Sequence, residues 1–404
     1  MANGLWPQIG ALGFARLVIN MARRFTYAFA PKLAQSMGVP LSAVQNTIAL
    51  QSGVGLLSPL TASLSERFGR KAIMQLALLL NMLGGIVGAL APTYGIFVFM
   101  MLMFGFGKLF FDPSLLAYLG DRVPFRKRAR AIGVTELSWA GSLLIAAPLV
   151  GFLLERSTLS AVFGMLAFAA FLGLMVITVV IPSDRPASRP AASLSLQALL
   201  RTVMSNSSAR AALAFAFLNT CANEIVFINY GAYMESSFGL ALTALGVVTI
   251  SISIAEILGE GVIIGIGDRF GSKRITLLGI AGAGLCYVLL PLATGSLPLA
   301  IVIVFAMFLA FEISIVGSIP LNTEVLPNAR GAMLAGMVGA LSIGRVAGSF
   351  LGGGLYALTD SFVVGALISG AMAALGFFML WRHVHITDPD ALQSSEPDQP
   401  GAAS

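Results

Sequence analysis

Twelve apolar stretches, each close to the length of a membrane-crossing helix, follow one another along this chain and are separated by short polar connections. A helix needs about 20 mostly apolar residues to cross a bilayer. The stretches fall near residues 9–31, 41–64, 72–92, 95–119, 131–154, 160–182, 209–233, 242–264, 275–293, 297–320, 331–357 and 361–381. Only 10% of the 404 residues are charged, against roughly 25% in soluble domains. Too little polar surface remains to dissolve a globule, so the fold class expected is an all-α polytopic membrane protein surrounded by a lipid bilayer. The first stretch lacks a basic leader and is interrupted by Arg16, which reads as a retained span and not as a cleaved signal peptide.

Lysine and arginine set the orientation. With both termini cytoplasmic, seventeen fall on the inner side and two, Lys32 and Arg156, on the outer side. Such asymmetry orients a membrane protein. It also accounts for the net charge of +6 without a nucleic-acid partner. The two cysteines, Cys221 and Cys286, lie inside apolar stretches with no metal-ligand spacing, so neither a metal nor any other cofactor is expected.

The longest connection is "PSDRPASRPAASLSLQALLRTVMSNSSAR". Its first part is a Pro/Ser/Ala linker. In its second part Leu196, Leu199, Leu200 and Val203 follow helical spacing, an amphipathic pattern suited to the inner leaflet. The expected organisation is a six-helix bundle over residues 1–183, a cytoplasmic linker over 184–208, a second six-helix bundle over 209–382 and a disordered cytoplasmic tail over 383–404.

The chain repeats itself. Glu66-Arg67-Phe68-Gly69 recurs as Asp268-Arg269-Phe270-Gly271, and Asn20 and Tyr27 recur as Asn223 and Tyr230 at the same spacing. Six spans return a chain to its starting side, so the halves are parallel repeats. The glycines allow the tight turns, and the basic residues hold the turns against the anionic leaflet.

The first turn resembles the loop 2–3 signature of the major facilitator superfamily, G-x-x-x-D-R-x-G-R-K. The matching positions are Ala62, Glu66, Arg67, Gly69, Arg70 and Lys71. The second copy keeps Asp268, Arg269 and Gly271 but has Ile264 and Ser272 at two signature positions. The similarity extends to about residue 382. It implies alternating access, a cavity between spans 1, 4, 7 and 10, and a latch in which Glu66 and Arg70 meet Asp121 and Arg130 and hold the outward-facing state. Asp268 with Lys273, Glu324 and Arg330 would be its weaker second copy.

Eleven ionisable residues interrupt the spans: Arg16, Arg23, Arg24, Lys108, Arg345, Asp112, Glu136, Glu224, Glu256, Glu260 and Glu312. Facing lipid they would cost about 30 kcal/mol together, so they must face water or one another. Arg16, Asn20, Arg23 and Tyr27 share a helix face, and Lys108 and Asp112 are i,i+4 neighbours, as are Glu256 and Glu260. The expected cavity residues are Arg16, Asn20, Arg23, Arg24, Tyr27, Lys108, Asn219, Asn223, Glu224 and Tyr230. The N-terminal half carries a net positive and the C-terminal half a net negative intramembrane charge. This serves either inter-bundle pairing or an anion-binding pole with proton-carrying acids.

His383 and His385 lie beyond the spans, which leaves carboxylates for any proton coupling. Asp112 and Glu312 are first choices and Glu136, beside Trp139, is third; Glu256 and Glu260 are further candidates. Ala147-Pro148 with Gly151 partly resembles the antiporter signature of the same family. Ala340, Gly344, Gly348 and Gly352 form a small-residue stripe for helix packing. No nucleotide loop or nucleophile–base pair marks an enzyme. The reading is a monomeric, proton-coupled exporter of small, partly apolar organic molecules in a bacterial inner membrane. An organic-anion symporter or exchanger gripping its substrate with the intramembrane arginines, and a non-transporting sensor, are the alternatives.

Overall fold

The computed structural model describes residues 5–58, 64–183 and 196–385. The linker residues 184–195, the tail beyond 385, Ala62 of the first turn and the side chains of Asp268, Leu196, Leu199 and Leu200 lie outside the described residues. All described elements are helical. They are α1 (Leu5–Met37), α2 (Leu41–Gly53), α3 (Leu64–Phe68), α4 (Arg70–Leu90), α5 (Tyr94–Arg122), α6 (Phe125–Glu136), α7 (Ser138–Arg156) and α8 (Leu159–Val180). After the linker come α9 (Leu196–Ser205), α10 (Ser207–Phe227), α11 (Tyr230–Phe238), α12 (Leu242–Phe270), α13 (Ser272–Leu289), α14 (Leu297–Val325), α15 (Arg330–Thr359) and α16 (Phe362–His383).

Ten helical stretches among the described residues are long and apolar enough to cross a membrane. The remaining two expected spans are helical but fall outside that ten. One is α1, with three arginines in its length; the other is α2, which is described only through Ser58 before α3 resumes. Two spans are broken at mid-depth, α6 from α7 at Leu137 and α10 from α11 at Ile228–Asn229.

The helices gather into two sets. In the N-terminal set α4 packs on α5 and α8, and α1 on α7 and α8. In the C-terminal set α13 packs on α14 and α16, α10 on α15 and α16, and α12 on α14. Two seams, α7 against α12 and α2 against α15, join them, and α1 also meets α11. The small-residue stripe serves packing within the C-terminal set. A Cβ at Gly344, Gly348 or Gly352 would stand 2.7–2.8 Å from the carbonyl oxygens of Phe217, Cys221 and Ile225 on α10.

The charged turns need their glycines. Gly69 and Gly271 have φ of 90° and 78°, a region that L side chains rarely occupy. Each immediately precedes the next helix, α4 or α13.

Two details bear on the linker and the tail. Val203 of α9 is buried in protein, and α9 docks on α15 instead of presenting this residue to the leaflet. The described residues continue to 385. Helix α16 ends at His383, Val384 is buried, and the Ser208 hydroxyl bridges the His383 carbonyl and the His385 N–H.

Candidate functional site

The intramembrane charges of the N-terminal set converge beside the α6–α7 break. Arg16 Nε lies 3.1 Å from Asp112 Oδ1 and its Nη1 2.8 Å from Glu136 Oε1. Lys108 Nζ is 2.8 Å from the other Asp112 oxygen and donates to Asn20 Oδ1 at 2.7 Å. Asn20 in turn reaches Ser138. Two arginines of α1 take carbonyls on either side of Leu137: Arg16 that of Thr135 at 3.3 Å and Arg24 that of Trp139 at 2.8 Å. The break in the helix and the charges on α1 therefore satisfy each other. Asp112 has its charge matched by two cations.

One ion pair crosses between the sets among the described residues. Arg24 meets Glu256 fork to fork, at 2.8 and 2.7 Å, with side chains 1% and 3% exposed. Trp139 donates its indole N–H to the same carboxylate at 3.2 Å, and Arg24 lies over its ring at 4.4 Å. Trp139 was expected to act on Glu136. It serves Glu256 instead, while Glu136 pairs with Arg16 and stays 41% exposed.

The connections at Gly38 and Gly239 define one end of the molecule, and those at Gly69 and Gly271 the other. Towards the Gly38 end Tyr27 donates to Glu224 at 2.7 Å and stacks on Phe227 at 4.2 Å. Ser349 donates to the same Glu224 oxygen at 2.8 Å. Gln45 crosses to Asn229, whose amide caps the α10–α11 break by donating to the Ile225 and Gly352 carbonyls. Near the end itself, Glu155 accepts from the Thr243 N–H. Here a Cβ at Gly151 or Gly246 would stand 2.4 Å from the Leu242 or Ala147 carbonyl oxygen. The Ala147-Pro148…Gly151 sequence thus forms the tightest part of the α7–α12 seam. Every described polar contact between the sets lies at mid-depth or towards the Gly38 end.

Three expected cavity residues lie elsewhere. Asn219, Asn223 and Tyr230 are buried within the C-terminal set, where they bond Ser314, Tyr287 and Thr249. Their apolar surroundings demand those partners. Glu312 is also buried, but no bond or ion pair to it is found among the described residues. It packs on Gly259, between Glu256 and Glu260 on α12. Among the described residues the Arg23 guanidinium bonds the Ser52 hydroxyl alone, at 3.0 Å.

At the Gly69 end Arg70 pairs with Asp121 at 3.0 Å. The pair ties α4 to α5 within one set. Glu66 takes no part in it, and Arg130 lies over the Trp6 ring at 5.2 Å. Of the four expected latch residues, the contacts found among the described residues bring together Arg70 and Asp121. In the second copy Glu324 accepts from Ser272, and Lys273 donates to the Trp381 and Val384 carbonyls. Arg269 and Arg330 are exposed. Sequence patterns had no means of finding Gln45, Ser52, Asn229 or Ser349, neutral residues that become functional candidates only through their partners.

Ten apolar helices of membrane-crossing length, gathered in two sets that buried polar and ionic contacts join, define a multi-pass membrane protein. The chain belongs to the Major Facilitator Superfamily, whose family model matches residues 12–216 and 212–402. Among curated relatives it is 22% identical over 304 residues to the uncharacterized MFS-type transporter YceJ of Bacillus subtilis, covering 74% of this chain and 76% of that one. It is 25% identical to Multidrug resistance protein 2 of the same organism, covering 81% and 83%. A crystal structure of a D-xylose-proton symporter superposes with a TM-score of 0.79 over 95% of this chain and 98% of the other, at 17% identity, a likeness of fold.

Proposed function

We propose that the protein is a proton-coupled exporter of small, partly apolar organic compounds, working by alternating access. In this reading twelve spans form bundles over residues 1–183 and 209–382, joined by the 184–208 linker, with both termini on the cytoplasmic side of a bacterial inner membrane. The protein acts as a monomer. The Gly38 end is then the outer end, closed in this conformation. Export is supported by the likeness to Multidrug resistance protein 2 and by the tight packing at Gly151.

The observation that carries proton coupling is Glu312. It is the buried acid whose charge no described neighbour fixes, and an intramembrane carboxyl so placed is a candidate proton carrier. Asp112 was expected to share the role, but two cations already hold its charge. Glu136 and Glu256 are likewise paired, and half-buried Glu260 is the natural second member.

The test is flux in proteoliposomes under an imposed pH gradient. E312Q should abolish gradient-driven export of organic compounds while leaving counterflow intact. Wild-type flux that ignores the gradient rules the coupling out, and E312Q flux that still follows it rules out Glu312 as the proton carrier.

A further inference from the structure

Five cations lie inside the spans, and the structure compensates only three of them with carboxylates. Arg16, Arg24 and Lys108 are consumed by Asp112, Glu136 and Glu256. Arg23 and Arg345 make no ion pair among the described residues. They come from opposite helix sets, on α1 and α15, and both remain partly exposed.

Their register brings them together. Arg23 and Tyr27 are four residues apart on α1, and Arg345 and Ser349 four apart on α15, so each pair occupies one helix face. Tyr27 and Ser349 bond the same oxygen of Glu224, at 2.7 and 2.8 Å. One turn towards the Gly69 end, Arg23 and Arg345 therefore stand on the two helix faces that meet at Glu224. The α2–α15 seam fixes the same neighbourhood from another side. Arg23 bonds Ser52, and the adjoining Gly53 meets Val346, the residue after Arg345. Arg345 lies within electrostatic reach of Arg23, Arg24 and Glu224. Glu224 is already engaged by two hydroxyls and bridges to neither arginine.

Two like charges held within electrostatic reach at mid-membrane repel each other and gain nothing for the fold. An anion between them removes that cost. Guanidinium groups present paired N–H donors in a plane, which suits a carboxylate, sulfonate or phosphate oxygen pair. Beside them stands the Trp139 ring, 5.9 Å from Arg345 Cζ. Arg24 at 4.4 Å and Lys108 at 5.3 Å also lie over this half-buried ring, and its remaining exposed part is the aromatic surface next to the charge.

We propose that Arg23 and Arg345 jointly bind the anionic group of an organic substrate whose apolar or aromatic body lies against Trp139. The inference rests on the transport reading above and narrows its substrate class to organic anions. It differs from a grip by all the first-span arginines, since Arg16 and Arg24 are committed to partners. It also places half of the site on each helix set, so that the substrate itself would help to draw the sets together.

The experiment is equilibrium binding to the purified full-length chain in nanodiscs, with no pH gradient, of three probes of one shape. They are 2-naphthoate, neutral 2-naphthamide and the cation of 2-naphthylmethylamine. Naphthoate should bind at least about tenfold more tightly than either companion, a difference of about 1.4 kcal/mol. R23Q and R345Q should each erase that margin. Where a glutamine variant fails to fold, R23K and R345K decide, because they keep the charge and lose the fork, and the margin must fall. Failure of naphthoate to bind, equal or better binding of the amide or the cation, or a margin that survives the arginine substitutions overturns the proposal. Binding of naphthoate that persists in E312Q, together with flux that ignores a pH gradient, would sink the coupling and uphold the site. Gradient-driven flux of the cation, with no naphthoate binding, would do the reverse.

Discussion

Arg24 and Glu256 meet fork to fork across the boundary between the two helix sets, with nitrogen–oxygen distances of 2.8 and 2.7 Å and almost no exposure. Each is also held by Trp139, through its carbonyl and its indole N–H. Removing one member of a buried pair leaves the other uncompensated, at a cost of about 3–5 kcal/mol. R24Q and E256Q should each lower the stability of the described conformation by that order, and the double variant by less than the sum. Melting curves of the four proteins in one detergent form the cycle. Strict additivity would show that the pair contributes no coupling between the sets.

The α7–α12 seam gives a second prediction. A side chain at Gly151 or Gly246 would collide with a carbonyl oxygen of the facing helix, a backbone group that cannot rotate away. Overpacking of this kind costs about 1–3 kcal/mol. G151V and G246V should therefore open the Gly38 end without unfolding either set. Spin labels at the Gly38 ends of α7 and α12 should show longer distances in both variants. Unchanged distances would mean that the seam does not control this end.

Asp112 and Glu136 share Arg16 but differ in consequence. Asp112 is 22% exposed and answers two cations; Glu136 is 41% exposed and answers one. D112N leaves Arg16 and Lys108 facing each other with only Glu136 between their charges. We expect it to cost about 3 kcal/mol, in the range for breaking a buried pair, and E136Q less than about 1 kcal/mol, as for exposed pairs. Denaturation of the two variants orders them, and the opposite order would remove Asp112 from its structural role.

Much of this arrangement was legible in the sequence because the membrane leaves so few options. Apolar length gave the helices, and the expense of intramembrane charge required that Arg16, Arg24, Lys108 and the acids find partners. The i,i+4 spacing identified Lys108–Asp112 directly. Which acid answers which arginine was not legible, since Arg24 and Glu256 are separated by 232 residues and their meeting depends on how two sets dock. The break at Asn229 was hidden for a related reason. Neutral polar residues inside apolar stretches carry no periodic signal, and only the docked Gln45 and the carbonyls of Ile225 and Gly352 that accept its amide explain why an asparagine stands there. The duplicated turn was plain as a motif, but its partners depend on local distances that the motif does not encode.

That turn yields the last prediction, a contrast between its charge and its glycine. Arg70 and Asp121 are paired, yet the Asp121 side chain is 60% exposed, and exposed pairs contribute about 1 kcal/mol or less. Gly69 instead holds φ at 90° immediately before α4, where any side chain introduces strain of about 1–3 kcal/mol. G69A should therefore destabilise the protein more than R70A or D121A does, although no atom stands within 4 Å of the added methyl at the equivalent Gly271. G271A should match G69A, since its φ of 78° imposes the same strain. Chemical denaturation of the four variants measures the order. If R70A proves the most damaging, the turn is held by its ion pair, and the backbone argument for the repeated glycine fails.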